Sequence, residues 1–332
     1  MPAIVDKITG PHPLGSHPFG THRLRLITFL LAQPYLLLAF APLCWAGNMI
    51  VGRAVRGEIP PLSLNWWRWS IAALVLAALT WPALARQRRL LLRQWKLVLC
   101  LALSGIVGFH SAVYLGLTAT TAVNSALIVG MGPVLIVPLA RILLGERITA
   151  LQALGVAVSS LGAVIVILRG DPAVLRDLDL NRGDVWLLSA SALWATYSVL
   201  LKRKPADLEV MNLTTGVIVT GALLATPLYL WEMSRGLFVP LTAESAAALG
   251  YVSLFAGVLA YIAWNRGVNA VGPNKAGLFL HLLPVYGAIL AALILGERLQ
   301  GYHLAGFGLI LADLVLTTRF GRRPLGDTAA RQ

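Results

Sequence analysis

Long apolar segments alternate with short polar connections along most of the chain. A helix that crosses a bilayer needs about 20 mostly apolar residues. Segments of this length follow one another with few charges inside them, so the pattern predicts an all-α membrane protein with ten transmembrane helices. The predicted spans are roughly residues 34–55, 62–85, 95–117, 121–144, 149–169, 184–203, 208–232, 244–266, 273–295 and 299–319.

Two of these segments repeat each other. Each has a proline partway along and ends in Leu-Gly-Glu-Arg, and the same 151 residues separate Pro133 from Pro284 and Glu146 from Glu297. A repeat in register indicates one structural unit that is used twice. The chain therefore divides into an N-terminal tail (1–33), a first five-helix repeat (34–169), a linker (170–183), a second five-helix repeat (184–319) and a C-terminal tail (320–332).

The number of spans in each repeat fixes how the two repeats are related. Five is odd, so the second repeat would enter the membrane from the opposite side, and the two would be inverted. Inverted repeats with a site near the midplane are typical of secondary transporters. Most of the 27 lysines and arginines fall in loops on the side of the N terminus. Because cytoplasmic loops carry this excess, we expect both tails in the cytoplasm and the linker in the periplasm.

Composition supports the membrane class. The chain is 58% hydrophobic and 12% charged, whereas soluble domains are about a quarter charged. The net charge of +13 is accounted for by the cytoplasmic loops, so we expect no nucleic-acid partner. The expected partners are the lipid bilayer and a small-molecule substrate, and the protein is expected to act as a monomer.

The sequence contains no Walker A, HExxH or CxxC motif. It therefore predicts no ATP-driven step, no metal site and no cofactor, and we expect that the protein is not an enzyme. The coupling of transport is left open. Export could be facilitated, or it could exchange protons through His110, His281 or Asp313.

A site at the midplane should use polar and aromatic side chains near the centres of spans, because polar groups in lipid face a cavity or a partner. Several such residues recur at the repeat spacing, as His110 does with Tyr261. The alternative is ordinary helix packing, in which each polar atom bonds a backbone carbonyl. The candidate substrate-binding residues are Trp45, Asn48, His110, Tyr114, Trp194, Tyr197, Tyr261, Asn265 and His281.

Pro133 and Pro284 each remove a backbone hydrogen bond and kink their helices. We expect these kinks to act as gating hinges; a fixed bend needed for packing is the alternative. The Glu-Arg pairs that end both repeated segments are expected to anchor or close the helix ends.

Three further expectations concern single residues and helix packing. Arg68 lies within a span and is expected to extend toward the outer surface. The neighbouring tryptophans at 66, 67 and 69 are expected in an interfacial belt. Small residues four apart, such as Gly308 and Ala312, predict close helix approach.

The repeated Leu-Gly-Glu-Arg helix with its proline, the Trp-Ala-Gly sequence at Trp45–Gly47 and ten spans in two halves together resemble the drug/metabolite transporter superfamily. Within it, the chain is most similar to EamA-type exporters of bacterial inner membranes, and in its general run to the aromatic amino acid exporter branch, which is also linked to efflux of paraquat. The resemblance implies a central cavity lined by helices one, three, four, six, eight and nine.

The function expected from these observations is secondary export of small organic metabolites, aromatic or neutral amino acids above all. Transport would proceed by alternating access around a midplane cavity with aromatic walls. One alternative is an exporter of cationic drugs or toxicants. Another is an intramembrane enzyme that acts on lipid, which would need a cluster of acids or histidines at one membrane face.

Overall fold

A computed structural model describes residues 33–55, 57–120, 128–129, 132–146, 148–177, 181–295 and 299–320. The predicted tails, residues 1–33 and 320–332, lie almost entirely outside these ranges. Within them, all regular elements are helical. The helices are α1 (Pro34–Ala54), α2 (Pro61–Arg93), α3 (Trp95–Ala119), α4 (Gly132–Leu144), α5 (Ala150–Ile167), α6 (Arg182–Leu200), α7 (Val210–Ser234), α8 (Ala243–Val271), α9 (Pro273–Leu278 and Leu282–Leu295) and α10 (Gly301–Phe320).

Among the described residues, seven helices are long and apolar enough to cross a membrane: α1, α2, α3, α5, α6, α7 and α8. Helices α4 and α10 are apolar but have shorter apolar stretches. Helix α9 is interrupted by a 3₁₀ turn at Phe279–His281. The chain is thus a multi-pass helical membrane protein, and seven of the ten expected spans are helices both long and apolar enough to cross a bilayer in the described residues. The expected start of the fourth span, residues 121–127, lies outside the described ranges.

Helix α2 is longer than the hydrophobic pattern predicts. It continues to Arg93 through a basic stretch that was expected to be a loop. Leucine, arginine and glutamine dominate this stretch, and all three favour helix. The helix therefore continues past the predicted apolar span, and the residues that follow residue 85 are helical and do not form a loop.

Helices α2 and α7 cap each other's first turns. The carboxylate of Glu232, near the end of α7, accepts hydrogen bonds from the backbone N–H groups of Leu62 and Ser63, at 3.2 and 2.6 Å. At the other end of the pair, Oε1 of Gln87 on α2 accepts from the backbone N–H of Glu209 at 3.1 Å. The first N–H groups of a helix have no partner within it. Each helix thus provides the acceptors that the other lacks.

Helices α3 and α8 each contain a π-helical segment, Ala102–Gly108 and Val252–Leu259. The two segments occupy matching places in the two halves of the chain. Short π segments inside α-helices are common at functional sites. In this protein the carbonyls of Gly105 and Ala256 within these segments accept hydrogen bonds from side chains of other residues.

Glycines bring α5 and α10 into close contact. A Cβ on Gly306 would lie 2.6 Å from the carbonyl oxygen of Gly162, and a Cβ on Gly162 would lie 2.7 Å from the carbonyl oxygen of Gly306. A Cβ on Gly308, by contrast, would meet nothing within 4 Å. The expected close approach is therefore made by Gly306, on a different face of α10 from Gly308.

Candidate functional site

A cavity of about 60 Å³ lies between the helices, with room for a few water molecules in this conformation. Side chains of α1, α2, α3, α6 and α8 form its aromatic and polar wall. Six of the nine candidate binding residues line it: Trp45, Asn48, His110, Tyr114, Trp194 and Tyr261. Arg68, Phe109 and Ser191 also line it, together with apolar residues such as Leu280 and Leu283 on α9.

Trp45 and Trp194 form adjoining parts of the aromatic wall. Their ring centroids lie 5.1 Å apart, with the planes nearly perpendicular. The indole N–H of Trp45 donates to the carbonyl of Ala256 at 3.1 Å. The indole N–H of Trp194 is buried and has no hydrogen-bond partner among the described residues. The two tryptophans thus pack against each other but differ in hydrogen bonding.

The π segment of α3 fixes the wall beside His110. The hydroxyl of Tyr261 donates to the carbonyl of Gly105 at 2.7 Å, and Nδ1 of His110 lies 3.2 Å from the same oxygen. Trp69 packs edge-on against both rings, with centroids 5.0 Å from His110 and 4.7 Å from Tyr261. A bulge in α3 therefore holds side chains from two halves of the chain in one cluster.

The expectation that Arg68 extends to the outer surface is wrong. Its side chain is 0% exposed and lines the cavity. Its guanidinium donates to the carbonyl of Ala256 at 2.9 Å and to Asn48 Oδ1 and the Tyr114 hydroxyl at 3.3 Å each. These acceptors and the ring of Trp69, 4.8 Å from the guanidinium carbon, retain the side chain in the interior. Trp69 is itself fully buried, so it does not belong to an interfacial belt.

Three candidate residues are buried but do not line the cavity. The hydroxyl of Tyr197 donates to Asn265 Oδ1 at 2.8 Å, and Asn265 Nδ2 donates to Thr214 Oγ1 at 2.8 Å. The ring of Tyr197 stacks on Trp194 with centroids 5.3 Å apart, so this network supports the wall from behind. His281 lies next to the lining residue Leu280, with Nε2 3.4 Å from Ser160 Oγ.

The two prolines sit near the starts of described helical segments. Pro133 is the second residue of α4, and residues 130–131 before it are outside the described part of the chain. Pro284 is the third residue of Leu282–Leu295, and the 3₁₀ turn of α9 ends three residues before it. The helix geometry thus changes just before Pro284.

Polar contacts join the ends of four helices on the predicted cytoplasmic side. Asn274, at the start of α9, donates to Glu146 Oε2 at 2.9 Å, just beyond α4. Arg203, after α6, donates to the carbonyl of Leu143 at 2.7 Å. Lys202 donates to the carbonyl of Asn269 on α8 at 3.2 Å. The partner residue in the first Glu-Arg pair, Arg147, and the second pair at 297–298 lie outside the described residues.

Arg68 is the main cavity residue that the sequence reasoning missed. It lies seven residues after Pro61, the start of α2. This position is too deep in the predicted span for an ordinary surface residue. An ionisable residue inside a span is by default a candidate for function. That signal was present in the sequence and was outweighed by the ability of long basic side chains to reach the interface.

The fold and the cavity together define a multi-pass helical membrane protein with a polar and aromatic cavity among its helices. The sequence profile of the EamA-like transporter family matches the chain twice, over residues 33–168 and 181–319. The chain therefore belongs to the EamA-like transporter family, within the drug/metabolite transporter superfamily.

Several curated proteins are similar over almost their whole length. The uncharacterized transporter YyaM of Bacillus subtilis is 26% identical over 89% of this chain and 96% of its own. An uncharacterized transporter of Archaeoglobus fulgidus is 28% identical over 86% and 98%. A protein of Streptantibioticus cattleyicolor, named a probable terminal-alkyne amino-acid exporter, is 25% identical over 89% and 97%. These relatives are all named as transporters.

A solved crystal structure has the same fold. It superposes with a TM-score of 0.70 and 20% sequence identity, over 86% of this chain and 96% of that chain.

Proposed function

We propose that the protein is a secondary transporter that exports small organic metabolites, aromatic or neutral amino acids above all, through the central cavity. The observation that carries this proposal is the cavity itself. Its walls combine the rings of Trp45, Trp194 and Tyr261 with the polar groups of Asn48 and Arg68. Aromatic rings offer flat apolar area for a side chain, and the polar groups can orient the amino acid backbone.

Helix packing supports two inverted five-helix repeats, residues 34–169 and 184–319, around this cavity. Helix α3 packs on α6 as α8 packs on α1, and α4 packs on α6 as α9 packs on α1. The π segment of α8 contacts α2 as the π segment of α3 contacts α7. If the first and second halves of the chain are exchanged, each of these helix contacts becomes the other contact of its pair. Such pseudo-symmetry supports alternating access, since each half can adopt the other's conformation.

The proposed setting is the bacterial inner membrane, with both termini in the cytoplasm, the linker at 170–183 in the periplasm and the protein acting as a monomer. The concentration of basic residues in the loops on one side supports this orientation. The contacts of Glu146, Lys202 and Arg203 lie on the same side. They would close the cytoplasmic end of the pathway in this conformation.

Within the cavity, we assign substrate contact to the six candidate residues that line it. Tyr197 and Asn265 would hold Trp194 in place. His281, in the 3₁₀ turn of α9, would contact the substrate as the pathway opens. Pro133 and Pro284 would serve as hinges of α4 and α9, the two equivalent helices. The 3₁₀ turn that ends three residues before Pro284 supports this role, because a 3₁₀ stretch within a helix often marks a functional hinge.

The relative from Streptantibioticus cattleyicolor supports an amino acid as the substrate. It is named as an amino-acid exporter and aligns along nearly the whole chain. At 25% identity it supports the class of substrate and not a particular side chain.

The test is flux through the purified protein in liposomes. Labelled phenylalanine, threonine and a flat organic dication are compared, with and without a pH gradient, against liposomes without protein. We expect phenylalanine flux well above the protein-free background and above that of the dication. Phenylalanine flux equal to the background would contradict the proposed substrate. A change of flux with the pH gradient separates proton exchange from facilitated export.

A further inference from the structure

We infer that Arg68 binds the carboxylate of the substrate, so the cavity selects organic acids and zwitterions and rejects organic cations. The inference rests on the proposed function in one respect, that the central cavity is the substrate site. It adds the chemical class of the ligand and the residue that recognises it.

The first step is the burial of the charge. Arg68 is fully buried in a helix that spans the membrane. Arginine is protonated in proteins at every physiological pH, and a charge at this depth is expensive unless it is paired. The hydrogen-bond partners of its guanidinium in the described part of the chain are Asn48, Tyr114 and the Ala256 carbonyl, and all are neutral. The positive charge has dipoles around it but no counter-charge there.

The second step is the composition of the wall. The residues that line the cavity in the described part of the chain include no aspartate or glutamate. The lining therefore carries the positive charge of Arg68 without a carboxylate to balance it. An anionic group from outside the protein would provide the counter-charge.

The third step is the balance of donors and acceptors. The carbonyl of Gly105 already accepts a hydrogen bond from the Tyr261 hydroxyl, and the carbonyl of Ala256 accepts hydrogen bonds from Trp45 and Arg68. Among the residues that line the cavity, the fully buried side-chain polar atoms without a hydrogen-bond partner in the described part of the chain are both donors, Nε of Arg68 and Nε1 of Trp194. A ligand that completes this set must bring acceptors. A carboxylate brings two oxygens, and a guanidinium binds carboxylates with particular strength.

These observations assign the two ends of the ligand. The carboxylate faces Arg68, and an apolar or aromatic side chain packs against the rings of Trp45 and Trp194. An organic cation would instead face an unscreened guanidinium in a medium of low dielectric constant, where like charges repel strongly. Aromatic walls alone would attract such a cation, but Arg68 reverses the preference.

The experiment measures the binding of three small probes to the full-length protein in lipid nanodiscs by calorimetry. Phenylalanine has both charged groups, 3-phenylpropionate has only the carboxylate, and phenethylamine has only the amine. We expect the two acids to bind at least tenfold more tightly than the amine. Arg68→Gln removes a charge-assisted hydrogen-bond donor. Its affinity for both acids should therefore be roughly tenfold to hundredfold lower than that of the natural protein. Its affinity for phenethylamine should not fall.

Two further variants complete the set. Arg68→Lys retains the charge and should retain the preference for acids. Arg235→Gln removes the same charge at an exposed position after α7 and should bind all three probes as the natural protein does. If Arg68→Gln does not fold, the comparison of 3-phenylpropionate with phenethylamine on the natural protein decides the question alone.

Equal affinity of the natural protein for 3-phenylpropionate and phenethylamine would overturn the inference, as would no binding of any probe or unchanged acid binding by Arg68→Gln. The inference and the proposed function fail separately. Acid-selective binding without flux in liposomes would reject transport and retain the carboxylate site. Flux of phenylalanine with no preference for acids in the binding experiment would reject the carboxylate site and retain transport.

Discussion

At the scale of single residues, the cavity depends on how its indole and guanidinium groups are held. Trp194 is 4% exposed and contacts Trp45, Phe109 and Tyr197. These contacts fix its ring and leave its N–H without a protein acceptor among the described residues. A buried donor without a partner has a cost, and a substrate oxygen would offset it.

Trp194→Phe tests this role, because it retains a ring and removes the N–H. A neutral hydrogen bond contributes about 0.5–1.5 kcal/mol, so the KM for phenylalanine flux should rise roughly threefold to tenfold. The control is Trp186→Phe on the same helix, where the side chain is 48% exposed. Initial rates in liposomes, normalised to folded protein, provide the measurement. An unchanged KM for Trp194→Phe would remove this residue from the site.

Residue types near span centres predicted much of the cavity. Polar and aromatic residues are unusual there, and the repeat spacing brought Tyr261 into the set through its equivalence to His110. The same reasoning could not separate the cavity wall from the layer behind it. Tyr197 and Asn265 satisfy each other by a hydrogen bond, and only tertiary structure reveals that pairing.

At the scale of helices, close contact between two backbones matters as much for packing as contact between side chains. Helices in lipid gain little from apolar burial against each other, so contact through small residues contributes much of their association. Helices α5 and α10 meet at Gly162 and Gly306, where each carbonyl fills the space that a side chain on the other glycine would need.

Gly306→Ala should destabilise the protein. The added Cβ would lie 2.4 Å from Val166 Cγ2 and 2.6 Å from the carbonyl oxygen of Gly162, and a backbone oxygen cannot move aside without shifting α5. Overpacking of this kind costs about 1–3 kcal/mol. The unfolding temperature in detergent should fall for Gly306→Ala but not for Gly308→Ala, where the new Cβ meets nothing within 4 Å. Equal unfolding temperatures for the two variants would show that this contact is not made.

Hydrophobic runs predicted where helices lie but not where they change form. The apolar span of α2 ends before the helix does, because basic residues outside the span still favour helix. The π segments of α3 and α8 have ordinary apolar sequences such as Ala102–Gly108. These segments pack against α7 and α2, and no local pattern in the sequence predicted them.

At the scale of the whole molecule, the account rests on a cavity shared by the two halves of the chain. Trp45 and His110 reach it from the first half, and Trp194 and Tyr261 from the second. The profile of the family also matches each half separately. A substrate held between two such units can be exposed to one side of the membrane and then to the other as the units rock.

The most direct measurement blocks the cavity during transport. Ser191 lines it, so a thiol reagent attached to Ser191→Cys should fill the space that the substrate needs. The variant is made with the native cysteines, Cys44 and Cys100, replaced by serine. Ser189→Cys, on the exposed face of the same helix, is the matched control.

We expect the reagent to abolish phenylalanine flux in liposomes that contain Ser191→Cys and to leave the Ser189→Cys protein unaffected. Excess phenylalanine should slow the modification at position 191. Full flux through a protein that is completely modified at position 191 would contradict the account, because the solute would then cross by another route.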